Sequence, residues 1–310
     1  MSGTISSDQT WSPAAMEARV VRYADLKPCF NAFIDTRSPG SEAKENFTII
    51  GPGVSENPDQ HVHIAEPHGF NIGGARQPPG CINSQHSHDT AEVFLVHSGT
   101  WRINIGEHGD DAHLAIGPGD VMSVPTGLFR GFTNVGEGSG FLWVVLGQDD
   151  PGRVLWAPYV FDMARDYGLV LLDDGTLIDT AAGQAVPDGA KPMPRTSPEQ
   201  VAAMRVPSSA ELESLVVRGS RSAGQVIGAG APLGWKHGFT LDRLDIGAPV
   251  PAERTSSQTV LFVHSGGLTV SWPDGALTLG RGDTITVPAQ LEHGLTAAER
   301  DTIIYRVRAS

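Results

Sequence analysis

Residues 80–99 read GCINSQHSHDTAEVFLVHSG, and this stretch decides how the fold is interpreted. Successive side chains of a β-strand point to opposite faces, so His86, His88, Glu92 and Phe94 share one parity and can point into a barrel together. Two neutral imidazoles and a carboxylate are ligands that Fe(II), Mn, Zn or Ni accepts. Spacing alone does not decide between three ligands of one metal ion and three neighbouring polar side chains.

Four blocks of this sequence occur twice, in the same order. They are IIGPG at 49–53 and VIGAG at 226–230, HGF at 68–70 and 237–239, VFLVHSG at 93–99 and VLFVHSG at 260–266, and GPGDVMSVP at 117–125 and GRGDTITVP at 280–288. Such ordered recurrence indicates an internal duplication. The 37 Gly and 22 Pro residues are typical of many short strands joined by tight turns, so we expect a mostly β fold. We expect the turn at Ser98-Gly99 to join two paired strands as a hairpin.

The segment between the two copies has a different pattern. Val160, Met163, Ala164 and Tyr167 keep helical spacing, and Ser197 begins a capping box at the start of a second short helix. We therefore place an N-terminal arm at 1–29, mobile to about residue 18, and a first β domain at 30–150. A linker with short helices follows at 151–206, and a second β domain occupies 207–310.

Two motifs in the first copy resemble those of the cupin superfamily. The matching positions are Gly80, His86, His88, Glu92 and Gly99 in the first motif, and Gly119, Pro125, Gly127 and Asn134 in the second. With the duplication, the chain is similar to two-domain cupins such as gentisate- and quercetin-type dioxygenases, pirins and oxalate decarboxylases. The resemblance implies two tandem cupin barrels, also called jelly rolls or double-stranded β-helices. It also implies that His86, His88 and Glu92 are three of the four usual metal ligands.

Arg130 departs from the family pattern, which has a fourth histidine ligand at this position. A guanidinium group stays protonated and has no lone pair to offer a metal. In one interpretation Arg130 binds an anionic substrate above the metal ion. In the other it pairs with Glu92 and takes the place of the metal.

An apolar cavity wall is expected beside these residues. We assign it to Phe94, Trp101, Ile103 and Phe132.

The second copy has lost the ligand pattern. Glu253, Thr255 and Thr259 align with His86, His88 and Glu92, while His293 aligns with Arg130. A lone histidine is more often a hydrogen-bonded core residue than a ligand. We therefore expect one metal ion per chain, in the first copy, with His293 uninvolved.

Composition and charge narrow the partners. The net charge is −13 and the chain has no Lys/Arg run, so nucleic acid and anionic membranes are poor electrostatic partners. No apolar run reaches about 18 residues, and the N-terminus does not read as a signal peptide, so we expect a cytoplasmic protein. Its cysteines, Cys29 and Cys81, should be reduced thiols. We expect a homodimer that acts on a small molecule.

Three functions are compatible with these residues. The first is a mononuclear Fe(II) dioxygenase acting on a small anionic, hydroxylated aromatic substrate. The second is a metal-dependent isomerase, lyase or decarboxylase of the same fold, in which the ion acts as a Lewis acid. The third is a non-catalytic binding cupin in which the pair of Arg130 and Glu92 replaces the metal.

Overall fold

The structure, a computed structural model, describes residues 10–221, 223–234 and 237–310. The described chain divides into two compact units. One unit comprises residues 27–221 and 226–239, and the other comprises the described residues of 1–26, 222–225 and 240–310. No described helix is both long enough and apolar enough to cross a membrane.

The described part of the N-terminal segment, from residue 10 onward, contains short elements of secondary structure. Its elements are α1 (Pro13–Glu17), β1 (Val20–Val21) and a 3-10 helix (Tyr23–Asp25). Ser12 caps α1, because its hydroxyl accepts the backbone N–H of Ala15 at 3.2 Å. Met16 is fully buried in a hydrophobic core. The expectation of a mobile arm to residue 18 is therefore wrong for residues 10–18, and residues 1–9 lie outside the described part.

The first unit contains a pair of facing sheets and most of the helices. Its elements are β2 (Glu45–Ile50), β3 (Val62–Ile64), β4 (Phe70–Gln77), β5 (Ile82–His88), β6 (Glu92–Ser98), β7 (Trp101–Ile105), β8 (Ala112–Ile116), β9 (Val121–Val124), β10 (Arg130–Asn134), β11 (Gly140–Gly147), β12 (Val154–Trp156), α2 (Pro158–Asp166), β13 (Leu169–Leu171), β14 (Leu177–Asp179), α3 (Pro198–Ala203), α4 (Ser209–Ser214) and β15 (Val216–Val217). A seven-stranded sheet has the order β15-β9-β6-β11-β4-β2-β3, and a five-stranded sheet has the order β12-β5-β10-β7-β8.

The predicted hairpin at Ser98-Gly99 is wrong. Strand β6 pairs with β9 and β11, whereas β7 pairs with β8 and β10, so the turn carries the chain from one sheet to the other. Gly99 has a positive φ of 83°, and a Cβ there would lie 2.6 Å from the Cα of Gly140. Only glycine permits this crossing so close to a neighbouring strand.

The segment expected to be a linker belongs to the first unit. The predicted helices are present as α2 and α3, and the capping box of Ser197 and Gln200 starts α3. Strand β12, which was not expected from the sequence, pairs with β5 and sets Trp156 opposite His86.

The C-terminal part of the chain repeats the two-sheet arrangement. Its strands are β16 (Gly224–Ile227), β17 (Phe239–Asp245), β18 (Val250–Glu253), β19 (Thr259–Ser265), β20 (Leu268–Trp272), β21 (Gly275–Leu279), β22 (Thr284–Val287), β23 (His293–Ala297) and β24 (Ile303–Ala309). They form a six-stranded sheet of order β1-β22-β19-β24-β17-β16 and a four-stranded sheet of order β18-β23-β20-β21. The mostly β fold with few helices is confirmed.

Each barrel is completed by a short strand that precedes the other barrel in sequence. Strand β1 pairs with β22, and β15 pairs with β9. An arginine just after each of these strands makes the same kind of hydrogen bond. Arg22 Nη1 donates to Asp283 Oδ2, and Arg218 Nη1 donates to Asp120 Oδ2, both at 2.9 Å. The compact units therefore do not follow the linear boundaries expected at residues 30 and 207.

Candidate functional site

The candidate ligands lie where two sheets of the first unit face one cavity. His86 and His88 are on β5, and Glu92 begins β6 of the opposite sheet. In the five-stranded sheet, His86 pairs with Trp156 on one side and with Arg130 on the other. All four candidate polar residues, the two histidines, Glu92 and Arg130, are buried.

A β-bulge adds a polar residue to this wall. Arg130 pairs with His86, but Phe132 pairs with Asn83, so three steps along β5 face two steps along β10. The extra residue shifts the alternation of side chains along β5. Asn83, which strict parity places on the face opposite to His86, therefore lines the same cavity.

The cavity has a volume of about 70 Å³. A single water needs roughly 10–15 Å³ on this measure, so the space suits a small ligand. Aromatic rings form part of its wall, and they belong to Phe33, Phe94, Phe132 and Trp156. The ionisable side chains that line it are His86, His88 and Glu92.

The expected cavity wall is present only in part. Phe94 and Phe132 line the cavity, with their rings 5.4 Å apart. Trp101 and Ile103 are instead fully buried in the barrel core, where the Trp101 ring packs 5.7 Å from that of Phe132. Strand β7 does not pair with β6, because the two strands lie in different sheets. Trp101 and Ile103 therefore pack in the core and do not line the cavity.

Both histidines are held as neutral imidazoles. Burial lowers the pKa of His86 and of His88 well below the ordinary value, and the nearby positive charge of Arg130 lowers both further. His86 Nδ1 lies 2.7 Å from the carbonyl oxygen of Ser84, so that nitrogen carries the proton and Nε2 keeps its lone pair. His88 Nδ1 is buried and makes no hydrogen bond to any described residue.

Arg130 is turned toward Glu92 and the backbone. Its Nη2 donates to Glu92 Oε2 at 2.5 Å, and its Nη1 donates to the carbonyl oxygen of His86 at 2.8 Å. Arg130 is not among the described residues that line the cavity. This ion pair is the contact that the metal-free interpretation requires.

The donor set fits a divalent metal chemically. Two neutral imidazoles and one free carboxylate oxygen face the cavity, and Glu92 Oε1 lies 3.6 Å from His88 Nε2, too far for a hydrogen bond. Arg130 occupies the other carboxylate oxygen of Glu92. Within the described residues, no group of three His, Cys, Asp or Glu side chains is already arranged around a common ion position.

A buried carboxylic acid supports the cavity wall from behind, and sequence reasoning missed it. Glu56 accepts the Trp156 indole N–H at 2.6 Å and the backbone N–H of Ile34 at 2.7 Å. Burial raises the pKa of Glu56 to about 8. The separation of 100 positions in sequence between Glu56 and Trp156 explains why no local pattern revealed the pair.

The corresponding position of the second barrel carries ion pairs around Glu253. Glu253 pairs with His293 across β18 and β23, as the sequence alignment of the two copies implies. Arg306 Nη1 donates to Glu253 Oε1 at 2.9 Å, and Arg308 also donates to that oxygen. His293 Nδ1 bonds the carbonyl oxygen of Leu291 at 3.0 Å.

Sequence comparison finds a family match in the first barrel. Residues 75–146 match the cupin domain family. The germin-like protein subfamily 1 member 4 of Arabidopsis thaliana is 30% identical over 124 residues, which cover 37% of this chain and 54% of that protein. Acireductone dioxygenase 1 of Coprinopsis cinerea is 32% identical over 78 residues, covering 24% of this chain and 42% of that protein. The matched regions thus span about half the length of these curated relatives.

Structure comparison extends the likeness to the whole chain. Oxalate decarboxylase from Bacillus subtilis superposes with a TM-score of 0.54 at 13% identity, covering 100% of this chain and 78% of that one. At this identity the likeness concerns the fold alone. The chain therefore has the mostly β fold seen in oxalate decarboxylase, and its residues 75–146 match the cupin domain family.

Proposed function

We propose that the first barrel is a metal-dependent enzyme for a small organic substrate, with His86, His88 and Glu92 holding one divalent cation. The observation that carries the proposal is the presence of two neutral imidazoles and a carboxylate in the wall of one small, partly aromatic cavity. The names of similar proteins, an acireductone dioxygenase and an oxalate decarboxylase, are in keeping with this chemistry.

Within that class we propose an Fe(II) dioxygenase acting on a hydroxylated aromatic compound. A bound Fe(II) would supply the one-electron chemistry that lets dioxygen react with an organic substrate. The protein's part is to fix the ligands and exclude water. The bond from His86 to Ser84 orients the imidazole, Arg130 holds one oxygen of Glu92, and the Trp156 ring, centred 5.2 Å from that of His86, shields the site.

A lyase or decarboxylase remains the alternative within metal-dependent chemistry. The likeness of the fold to oxalate decarboxylase is in keeping with it. In that case a bound ion acts as a Lewis acid, and no oxygen is consumed.

A metal-free binding protein is the second candidate, and the buried ion pair of Arg130 and Glu92 favours it. Arg130 neutralises the charge of the Glu92 carboxylate, so no metal ion is needed to do so. In this case the cavity binds a small molecule without transforming it.

Metal content and oxygen uptake separate these functions. Untagged protein purified without chelators is reconstituted with Fe(II) under anaerobic conditions, analysed for metals and then given a panel of phenols in an oxygen electrode. The proposal expects about one metal ion per chain and substrate-dependent oxygen uptake, both lost in His88→Ala and kept in the exposed control His108→Ala. Metal binding with turnover but without oxygen uptake would support the lyase. A parent protein that takes up no metal would refute both enzymes.

A further inference from the structure

We propose that the ligand of the first cavity is uncharged in solution and that Asn46 and Asn83 recognise hydroxyl groups on it. This inference specifies the ligand of the site described above and rests on that site being functional. It replaces the expected small anionic substrate with an uncharged, hydroxylated ring compound.

The first argument is the distribution of charge around the cavity. Among the described residues of its wall there is no Lys or Arg. Arg130 is directed at Glu92 and at a backbone carbonyl, and the fully buried Lys44 is paired with Asp35. A free carboxylate on the ligand would lose its hydration here and find no cation in the wall. Such burial of an unpaired charge is strongly unfavourable.

The second argument is that amide groups of the same wall, those of Asn46, Asn83 and the partly buried Gln60, have an atom without a hydrogen-bond partner among the described residues. Asn46 is 5% exposed and Asn83 is 4% exposed, and both line the cavity. Asn46 Nδ2, a donor, and Asn83 Oδ1, an acceptor, are buried without a hydrogen-bond partner among the described residues. Leaving such groups unpaired costs about 1–3 kcal/mol each, so a ligand that satisfies them gains affinity.

Hydroxyl groups meet both requirements, because a hydroxyl can donate to an acceptor such as Asn83 Oδ1 or accept from a donor such as Asn46 Nδ2. The aromatic wall favours a flat apolar body for the rest of the ligand. A neutral phenol or diphenol combines these features. The same ring bearing an additional carboxylate does not.

The test compares two ligands that differ by one charge. Catechol is uncharged at neutral pH, and 2,3-dihydroxybenzoate is the same diphenol with a carboxylate. Binding of each is measured anaerobically by isothermal titration calorimetry, with the protein as purified and after Fe(II) reconstitution. We expect catechol to bind at least tenfold more tightly in either form. Equal or tighter binding of 2,3-dihydroxybenzoate would overturn the proposal.

Variants test the role of the amides. Asn83→Leu and Asn46→Leu should each weaken catechol binding about tenfold without changing metal content. Gln77→Leu is the matched control, because Gln77 is a fully buried amide with unpaired atoms that lies outside the cavity wall. Its catechol affinity should equal that of the parent. Folded variants of both asparagines with parental affinity would refute the assignment.

The two proposals fail in different ways. A protein that prefers catechol but takes up no metal would contradict the enzyme and leave the ligand assignment standing. A protein that binds metal but prefers 2,3-dihydroxybenzoate would contradict the ligand assignment alone.

Discussion

Replacing Arg130 with methionine tests two separate roles of the Glu92 carboxylate. One is to form a stabilising ion pair with Arg130, and the other is to bind a metal ion. The side chains of Arg130 and Glu92 are only 1% and 7% exposed, so removing the cation leaves a buried carboxylate without its partner. Breaking a buried pair in this way costs about 3–5 kcal/mol. We therefore expect the free energy of unfolding of the Arg130→Met variant, measured by urea in the presence of EDTA, to fall by about that amount.

Adding a divalent metal should then restore much of the loss. A ligand that binds only the folded protein stabilises it by about 2.7 kcal/mol at 100 times its dissociation constant. The control is Arg102→Met, an exposed arginine on β7, which should change stability by no more than about 0.5 kcal/mol. If Arg130→Met lost no more stability than Arg102→Met, the ion pair would have no structural role. If metal failed to stabilise Arg130→Met, Glu92 would not be a ligand.

Three further predictions concern the cavity and its surroundings. Burial raises the pKa of Glu56 from an ordinary 4.5 to about 8. The folded protein therefore holds this proton more tightly than the unfolded chain does, and this contributes to the free energy of unfolding. The contribution is full below pH about 4.5 and is lost as the pH rises toward 8. Urea titrations across that range should show the free energy of unfolding of the parent falling by up to about 1.4 kcal/mol per pH unit relative to that of Glu56→Gln. If the two free energies changed with pH in the same way, the raised pKa of Glu56 would be refuted. His86→Ala should abolish metal uptake while His293→Ala leaves it unchanged, as elemental analysis can measure, and the opposite pattern would move the site to the second barrel. Gly73 has an extended backbone in the cavity wall, and a Cβ there would lie 3.2 Å from its nearest neighbour, the Phe47 carbonyl oxygen. Gly73→Leu should therefore fill the cavity and abolish catechol binding in calorimetry without unfolding the protein, and retained binding would show that the ligand lies elsewhere.

The alternation of side chains along a strand was enough to predict from the sequence that several site residues share one cavity. His86, His88, Glu92 and Phe94 line one cavity, as their shared parity predicts. Alternation failed for Asn83, because the bulge between β5 and β10 inserts a residue that no local signal marks.

Non-local pairing explains the other differences. Trp101 was expected opposite β6, but the chain crosses to the other sheet between β6 and β7, so Trp101 packs in the core instead. Trp156 was missed because its strand lies in a segment that reads as a Pro-rich linker region with helices, and only its pairing with β5 brings it to the site.

The exchanged strands β1 and β15 determine the order in which the protein can fold as it is synthesised. The edge of β9 stays without its partner until residues 216–217 have left the ribosome, although the other strands of the two sheets are made about sixty residues earlier, when β12 ends at Trp156. Strand β1 is made well before its partner β22 at residues 284–287 and stays unpaired until then. Open strand edges can pair with other chains, so the nascent protein is exposed to misassembly until these strands have paired. A cut at residue 206 would leave β15 with the C-terminal half and β1 with the N-terminal half, so neither half would carry its own closing strand.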